Sequence, residues 1–135
     1  MKKTALVTGG AGFIGSNLVD ALLDEGYEVR SIDNFSNGKR RNVNASAQLI
    51  EGDIRDFRMM RRVCRGITHV FHAAALVRVQ PSIEKPALFH DVNVTGTLNV
   101  LLAARDAGVK KVVYSASSSA YGDQKKLPLR EDMIP

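Results

Sequence analysis

Residues 7–15 read VTGGAGFIG and place Gly9, Gly12 and Gly15 at three-residue intervals. That spacing suits a turn that must bring main chain against a charged group. The first glycine lets the chain leave a strand sharply. The second has no side chain to keep an anion off the backbone, and the third lets a following helix pack close. The free N–H groups of that helix's first turn then meet the anion with a partial positive charge. Asp33 lies 18 residues beyond Gly15, at the end of the alternating run EVRSID. A carboxylate in that place accepts hydrogen bonds from both hydroxyls of a ribose. It also repels a 2′-phosphate, which favours NAD over NADP. The basic run Lys39-Arg40-Arg41 keeps NADP from being excluded.

A second group of candidates lies at 115–122, SASSSAYG. Ser117, Ser118 and Ser119 follow an apolar run and have two readings. They present hydroxyls to a substrate, or they cap a turn and satisfy backbone groups. Tyr121 and Lys125 stand four residues apart, the interval that puts a phenol and an ammonium on one helix face. A phenol of ordinary pKa near 10 needs such a cation to act as a base near neutral pH. Gly122, Asp123 and Pro128 oppose a helix there, so the pair is set aside as the base.

These residues need elements to position them. KTALVT (3–8), EVRSID (28–33), QLIEGD (48–53), THVFHAAA (68–75) and KKVVYSA (110–116) read as strands. Between them, 12–26, 56–64 and 86–108 read as helices. The first is stopped by Gly26, the second by Gly66, and the third runs from Pro86 to Gly108. Residues 34–46 are polar and loop-like, and VRVQPSI (77–83) reads as a polar insertion. Strand and helix alternate, which implies parallel strands with right-handed crossovers. The expectation is an α/β, Rossmann-like, doubly wound sheet of order 3-2-1-4-5.

Composition narrows the classes. The 135 residues suit one domain, with 44% hydrophobic and 24% charged residues. The net charge is +5, much of it in residues 39–41 and in Arg58, Arg61, Arg62 and Arg65. These clusters read as solvated surface or as attraction for an anionic ligand. No aromatic-interleaved basic stripe points to nucleic acid, and no uninterrupted apolar run is long enough for a membrane. Cys64 is the only cysteine, so neither an intrachain disulfide nor a zinc set can form, and a cytoplasmic location is expected. His69, His72 and His90 lack ligand spacing and read as structural.

TGGAGFIG, DNFSNGKR, GDIRD, HAAA, NVTGTLNVLLAAR and VVYSASSSAYG occur in the order found in extended short-chain dehydrogenase/reductases. The chain resembles the NAD-dependent nucleotide-sugar epimerases and dehydratases, above all the UDP-sugar 4-epimerases, over essentially its whole length. The resemblance implies NAD as cofactor and a nucleotide sugar as partner. It puts Gly9, Gly12, Phe13, Ile14 and Gly15 at the pyrophosphate, and Asp33 and Asn34 at the adenosine ribose, with Asn37 and Gly38 in the loop beyond. Asp53 and Ile54 would border the adenine, with the carboxylate reading its exocyclic amine. Ala73, Ala74 and Ala75 would leave room beside the cofactor. Asn93 would be structural or cofactor-adjacent, and Gly96 would allow close packing. Ser117 would hydrogen-bond the reacting sugar hydroxyl, and serines at 118 and 119 fit an epimerase better than a dehydratase.

In that family the base belongs to a Tyr-x-x-x-Lys pair on a helix after the fifth strand. It is expected beyond Pro135, together with the later strands and the substrate domain. The reading for 1–135 is therefore an incomplete NAD-binding Rossmann domain, inactive alone, whose parent chemistry is reversible hydride transfer at a sugar C4. An apolar strip on helix 86–108 is expected to be exposed, giving self-association, marginal stability or coverage by another chain. Two alternatives stand beside it. One is a working enzyme completed by oligomerisation or by Tyr121–Lys125. The other is a non-catalytic scaffold or sensor that responds to NAD.

Overall fold

The computed structural model describes residues 3–134. Five parallel strands form its sheet: β1 (Thr4–Thr8), β2 (Glu28–Asp33), β3 (Gln48–Glu51), β4 (His69–His72) and β5 (Lys111–Tyr114). Their order is β3-β2-β1-β4-β5, as the alternation of elements predicts. The chain steps from β1 to β2 and β3 on one side, then crosses to β4 and β5 on the other. β1 is thus the central strand, and the cleft beyond its C-terminal end is the topological switch point.

Side chains of β1 alternate between two cores. Ala5 and Val7 face α1 (Phe13–Asp24), packing with Val19, Leu22 and Val29. Leu6 faces the opposite side, with Ile32 and Val70 from the sheet, Met60 and Val63 from α2 (Phe57–Val63), and Val100, Ala103 and Ala104 from α5 (Thr97–Asp106). Both faces of β1 are covered, which explains why its sequence is apolar without a polar partner row. Asp56 caps α2 by accepting the Met59 N–H at 3.0 Å.

Two expectations about helices need correction. The insertion at 77–83 contains a short helix, α3 (Val79–Glu84), whose interior proline sits in its first turn, where no intrahelical N–H is needed. The expected long helix is a segmented rod: α4 (Pro86–His90), a π-helical stretch (Asp91–Gly96), then α5. The widened turn occurs where Asp91 and Asn93 both bond outside the rod, to Arg55 and to Leu76. The predicted apolar strip is there: Leu88, Val94, Leu98 and Leu101 are exposed along it. After β5, residues 115–134 are mostly exposed and hold one 3-10 turn, Ser118–Tyr121. Among the described residues no helix is long and apolar enough to cross a membrane.

Candidate functional site

The turn out of β1 is built as the glycine spacing requires. Gly9 has φ +73, and its N–H donates to the Ile32 carbonyl of β2 at 2.8 Å. A side chain there would also press the Ala73–Ala74 backbone at 2.9 Å. Gly15 opens α1 where the helix crosses the turn's own main chain. A Cβ on it would lie 2.1 Å from the Gly9 carbonyl oxygen. The helix start at Gly12 has no side-chain cap, so the first N–H groups of α1 remain available to an anion.

Asp33 is buried at the end of β2. One carboxylate oxygen accepts the Ala11 N–H at 2.9 Å and the other accepts the Phe35 N–H at 2.8 Å. The two bonds hold the glycine turn against the β2–β3 loop. Each oxygen keeps acceptor capacity for a further donor.

These elements form an open cleft above β1, β2 and β4. Its walls include Gly9 and Gly12 from the turn, Asp33 at the end of β2, Asn34, Asn37 and Gly38 from the loop that follows, Asp53 and Ile54 after β3, and Ala73, Ala74 and Ala75 after β4. All of these were expected at a cofactor from the sequence. Other predicted residues stand elsewhere. The Phe13 and Ile14 side chains project into solvent, 83% and 63% exposed, so only their backbone belongs to the helix start. Gly15 is buried in the turn. Asn93 does not line the cleft. Its side chain clasps Leu76, accepting the Leu76 N–H at 2.8 Å and donating to the Leu76 carbonyl at 2.9 Å. It is a clamp on a wall residue, in line with the structural side of its expected role.

Ser117 caps the 3-10 turn, its hydroxyl oxygen accepting the Ser119 N–H at 3.1 Å. Its O–H proton stays free to donate. Tyr121 ends that turn and Gly122 follows at φ +61. Tyr121 and Lys125 therefore share no helix.

Sequence reasoning gave no role to a buried chain of polar groups under the cleft. The Thr8 hydroxyl accepts the Ala74 N–H at 3.2 Å and meets His72 Nδ1 at 2.6 Å. His72 Nε2 lies 2.9 Å from the Thr97 hydroxyl of α5. Thr8 has a single proton, and every bond is satisfied when it goes to Nδ1. Nε2 then carries the imidazole proton and donates to Thr97. Burial pushes the His72 pKa down from 6.5 to about 4. Tyr114 stacks on its ring, centroids 5.6 Å apart. The one signal available in the sequence was a threonine and a histidine ending otherwise apolar strands.

Beside the cleft, Arg55 holds the Asp53 carboxylate well below its usual range, at about 2. Cys64 is buried, which pushes its thiol up to about 11. The arginines at 58, 61, 62 and 65 lie toward solvent. No cluster among the described residues could hold a metal ion.

A switch-point cleft with a glycine turn, a helix start and an acid at the end of the second strand defines a dinucleotide-binding α/β protein. Residues 5–135 match the NAD dependent epimerase/dehydratase family, and the chain belongs to it. It is 44% identical over 135 residues to a UDP-glucose 4-epimerase of Klebsiella pneumoniae, covering 93% of this chain and 97% of that one. It is 40% identical over 129 residues to a putative UDP-glucose 4-epimerase of Methanocaldococcus jannaschii, covering 94% of this chain and 42% of that one. Among solved structures, the UDP-glucose 4-epimerase of Thermus thermophilus in complex with NAD superposes with a TM-score of 0.90 at 41% identity. That match covers 98% of this chain and 44% of the other. The chain thus spans less than half the length of several relatives it matches.

Proposed function

We propose that this chain is the NAD-binding part of a nucleotide-sugar epimerase of the UDP-glucose 4-epimerase kind. One observation carries the reading. The glycine turn, the helix start and the Asp33 carboxylate converge on a single cleft at the switch point. The cleft fits a dinucleotide on its own geometry. Gly9 and Gly12 line it without side chains, so main chain is presented where a pyrophosphate would lie, while Gly15 lets α1 pack on the turn. Gly9, Gly12 and the first N–H groups of α1 would hold the phosphates. Asp33 would hold the ribose hydroxyls, the Asp53–Ile54 wall would border the base, and Ala73–Ala75 would flank the nicotinamide end. NAD bound there would supply a hydride acceptor for a sugar alcohol.

The chain's own residues bind and orient. The Ser117 hydroxyl would donate to the reacting sugar oxygen. Oxidation at a sugar C4 also requires a base to take the hydroxyl proton as hydride leaves the carbon. Tyr121 and Lys125 share no helix, which argues against Tyr121 as that base. We therefore expect residues 1–135 to bind NAD without turning over a nucleotide sugar. We also expect the exposed apolar strip on the rod to mediate self-association.

Calorimetric titration with NAD and NADP, on the native chain and on Asp33→Ala, tests this. Saturable NAD binding, weaker for NADP and weakened by the substitution, is the expected result. A folded chain that binds neither dinucleotide would refute the proposal. Turnover of a UDP-sugar that is lost in Tyr121→Phe would restore Tyr121 as the base.

A further inference from the structure

Arg55 does not line the cleft, yet it makes most of the contacts to the acid that does. Its backbone N–H and its Nε both donate to Asp53 Oδ1, at 2.9 and 3.0 Å, and its Nη2 donates to Oδ2 at 2.8 Å. Its Nη1 reaches Asp91 in the π-helical stretch at 3.2 Å. The Asn99 side-chain amide accounts for the carbonyls on either side of this contact, donating to Ile54 and to Arg55 at 3.2 and 2.9 Å. The guanidinium is thus a planar fork pinned between two acids on two elements.

An ionised carboxylate has about four acceptor positions. Arg55 fills three of those on Asp53. The fourth is met by the Asn34 side-chain amide, 2.9 Å from Oδ2. Asn34 is exposed and lines the cleft, and among the described residues its only other side-chain bond is an accepted N–H from Ser36 at 3.0 Å. Asn34 is one of the residues lining the cleft, whereas Arg55 is not. Of these donors, the Asn34 amide alone can be exchanged for a group entering the cleft. A primary amine on a heterocyclic base offers the same N–H donor. A carbonyl at that position would face an acceptor that carries no proton.

We infer that Arg55 is the positioning residue for base selection, presenting Asp53 as a fixed acceptor from which an exocyclic amine displaces the Asn34 amide. This rests on the dinucleotide reading. It predicts that the cleft distinguishes NAD from nicotinamide hypoxanthine dinucleotide, which differs by a carbonyl in place of that amine.

The test is the ratio of the two dissociation constants, by calorimetry, for three proteins. The native chain should prefer NAD by up to about tenfold, because a hydrogen bond to a charged acceptor is worth at least that and is partly offset by displacing the Asn34 amide. Arg55→Gln should shrink that preference to about twofold, because Asp53 loses its fixed orientation. Asn34→Ala should widen it, because the competing amide is gone while Arg55 stays. A merely structural role for either residue would weaken both ligands in parallel and leave the ratio unchanged, which would overturn the inference. If Arg55→Gln does not fold, the exposed Asn34→Ala decides alone: a widened ratio supports the exchange, and an unchanged or narrowed one refutes it. A native chain that binds NAD without preferring it overturns this inference and leaves the dinucleotide reading standing. One that binds neither ligand overturns that reading as well.

Discussion

His72 makes the stability of this protein pH-dependent, and the size of the effect follows from its surroundings. The ring is 2% exposed and bonded at both nitrogens to hydroxyls. Protonation would add a second N–H on the Thr8 side. Thr8 already accepts from Ala74, so it would have to accept twice and leave its own proton without a partner. The folded pKa of about 4 against 6.5 for the unfolded chain expresses the penalty of charging a buried ring. The unfolded state binds the extra proton between those values, so folding stability rises with pH there. The contribution is complete above pH 6.5 and is lost as the pH falls toward 4. Linkage puts the loss at about 2 kcal/mol by pH 5 and about 3 kcal/mol below both values. For a domain stable by about 5–15 kcal/mol, the first step alone moves a urea midpoint by about 1 M. The assay is urea unfolding at about pH 8, 6.5 and 5, on the native chain and on His72→Asn. The variant lowers absolute stability through lost packing but removes this titration. The midpoint of the native chain should fall more steeply toward the acid end than that of the variant. Parallel slopes would refute the assignment of His72 as the titrating group.

Gly15→Ala forces a Cβ to 2.1 Å from a backbone oxygen, which only a main-chain shift relieves. It should cost about 1–3 kcal/mol in urea unfolding. Gly26→Ala, at φ +77 with open space around it, should cost about 1 kcal/mol. Equal losses at the two sites would contradict the crowding argument. Asn93→Ala strips Leu76 of both partners and should cost about 1–3 kcal/mol, with weaker NAD binding in titration because the cleft wall loosens. Cys64 should resist a thiol reagent in the native chain at neutral pH and react fully in denaturant, since burial keeps it protonated and out of reach. Leu98→Glu should lower the sedimentation coefficient at high protein concentration if the exposed strip on the rod joins copies of the chain. An unchanged concentration dependence would remove that surface from consideration.

The strand order and the switch-point cleft were legible because they follow from local signals. Strand runs ended in Gly9 and Asp33, and helix runs were closed by Gly26, Gly66 and Gly108. The residues that frame the cleft came from motif positions, and the structure brings most of them together. What could not be read depends on partners far along the chain. Thr8 and His72 are 64 residues apart, and no periodicity links them to Thr97. The NVTGT resemblance left Asn93 either structural or cofactor-adjacent, and its actual partner, Leu76 in a loop 17 residues earlier, could not be read from the motif. The π-helical stretch was hidden for the same reason, since the turn widens where Asp91 and Asn93 are drawn to outside partners. Arg55 lay within a recognised motif, GDIRD, but only the acid and the isoleucine suggested a role. A base two residues after an acid was the available hint.

The central position of β1 also bears on how the cleft comes into being. Its pairing with β2 joins segments separated by one helix, and that ribbon can form early from local chain. Its pairing with β4 matches Ala5 with His69 and Thr8 with His72, closing a loop of 64 residues. Loop closure of that length carries a larger entropic cost than the single-helix crossover from β1 to β2 and slows the step that depends on it. The glycine turn and Asp33 lie on the early side of that closure, and Ala73–Ala75 on the late side. The complete cleft therefore exists only after the slow pairing. A dinucleotide that binds only the closed form pulls the late equilibrium toward it by mass action. Its expected kinetic signature is slower unfolding, with the refolding rate nearly unchanged.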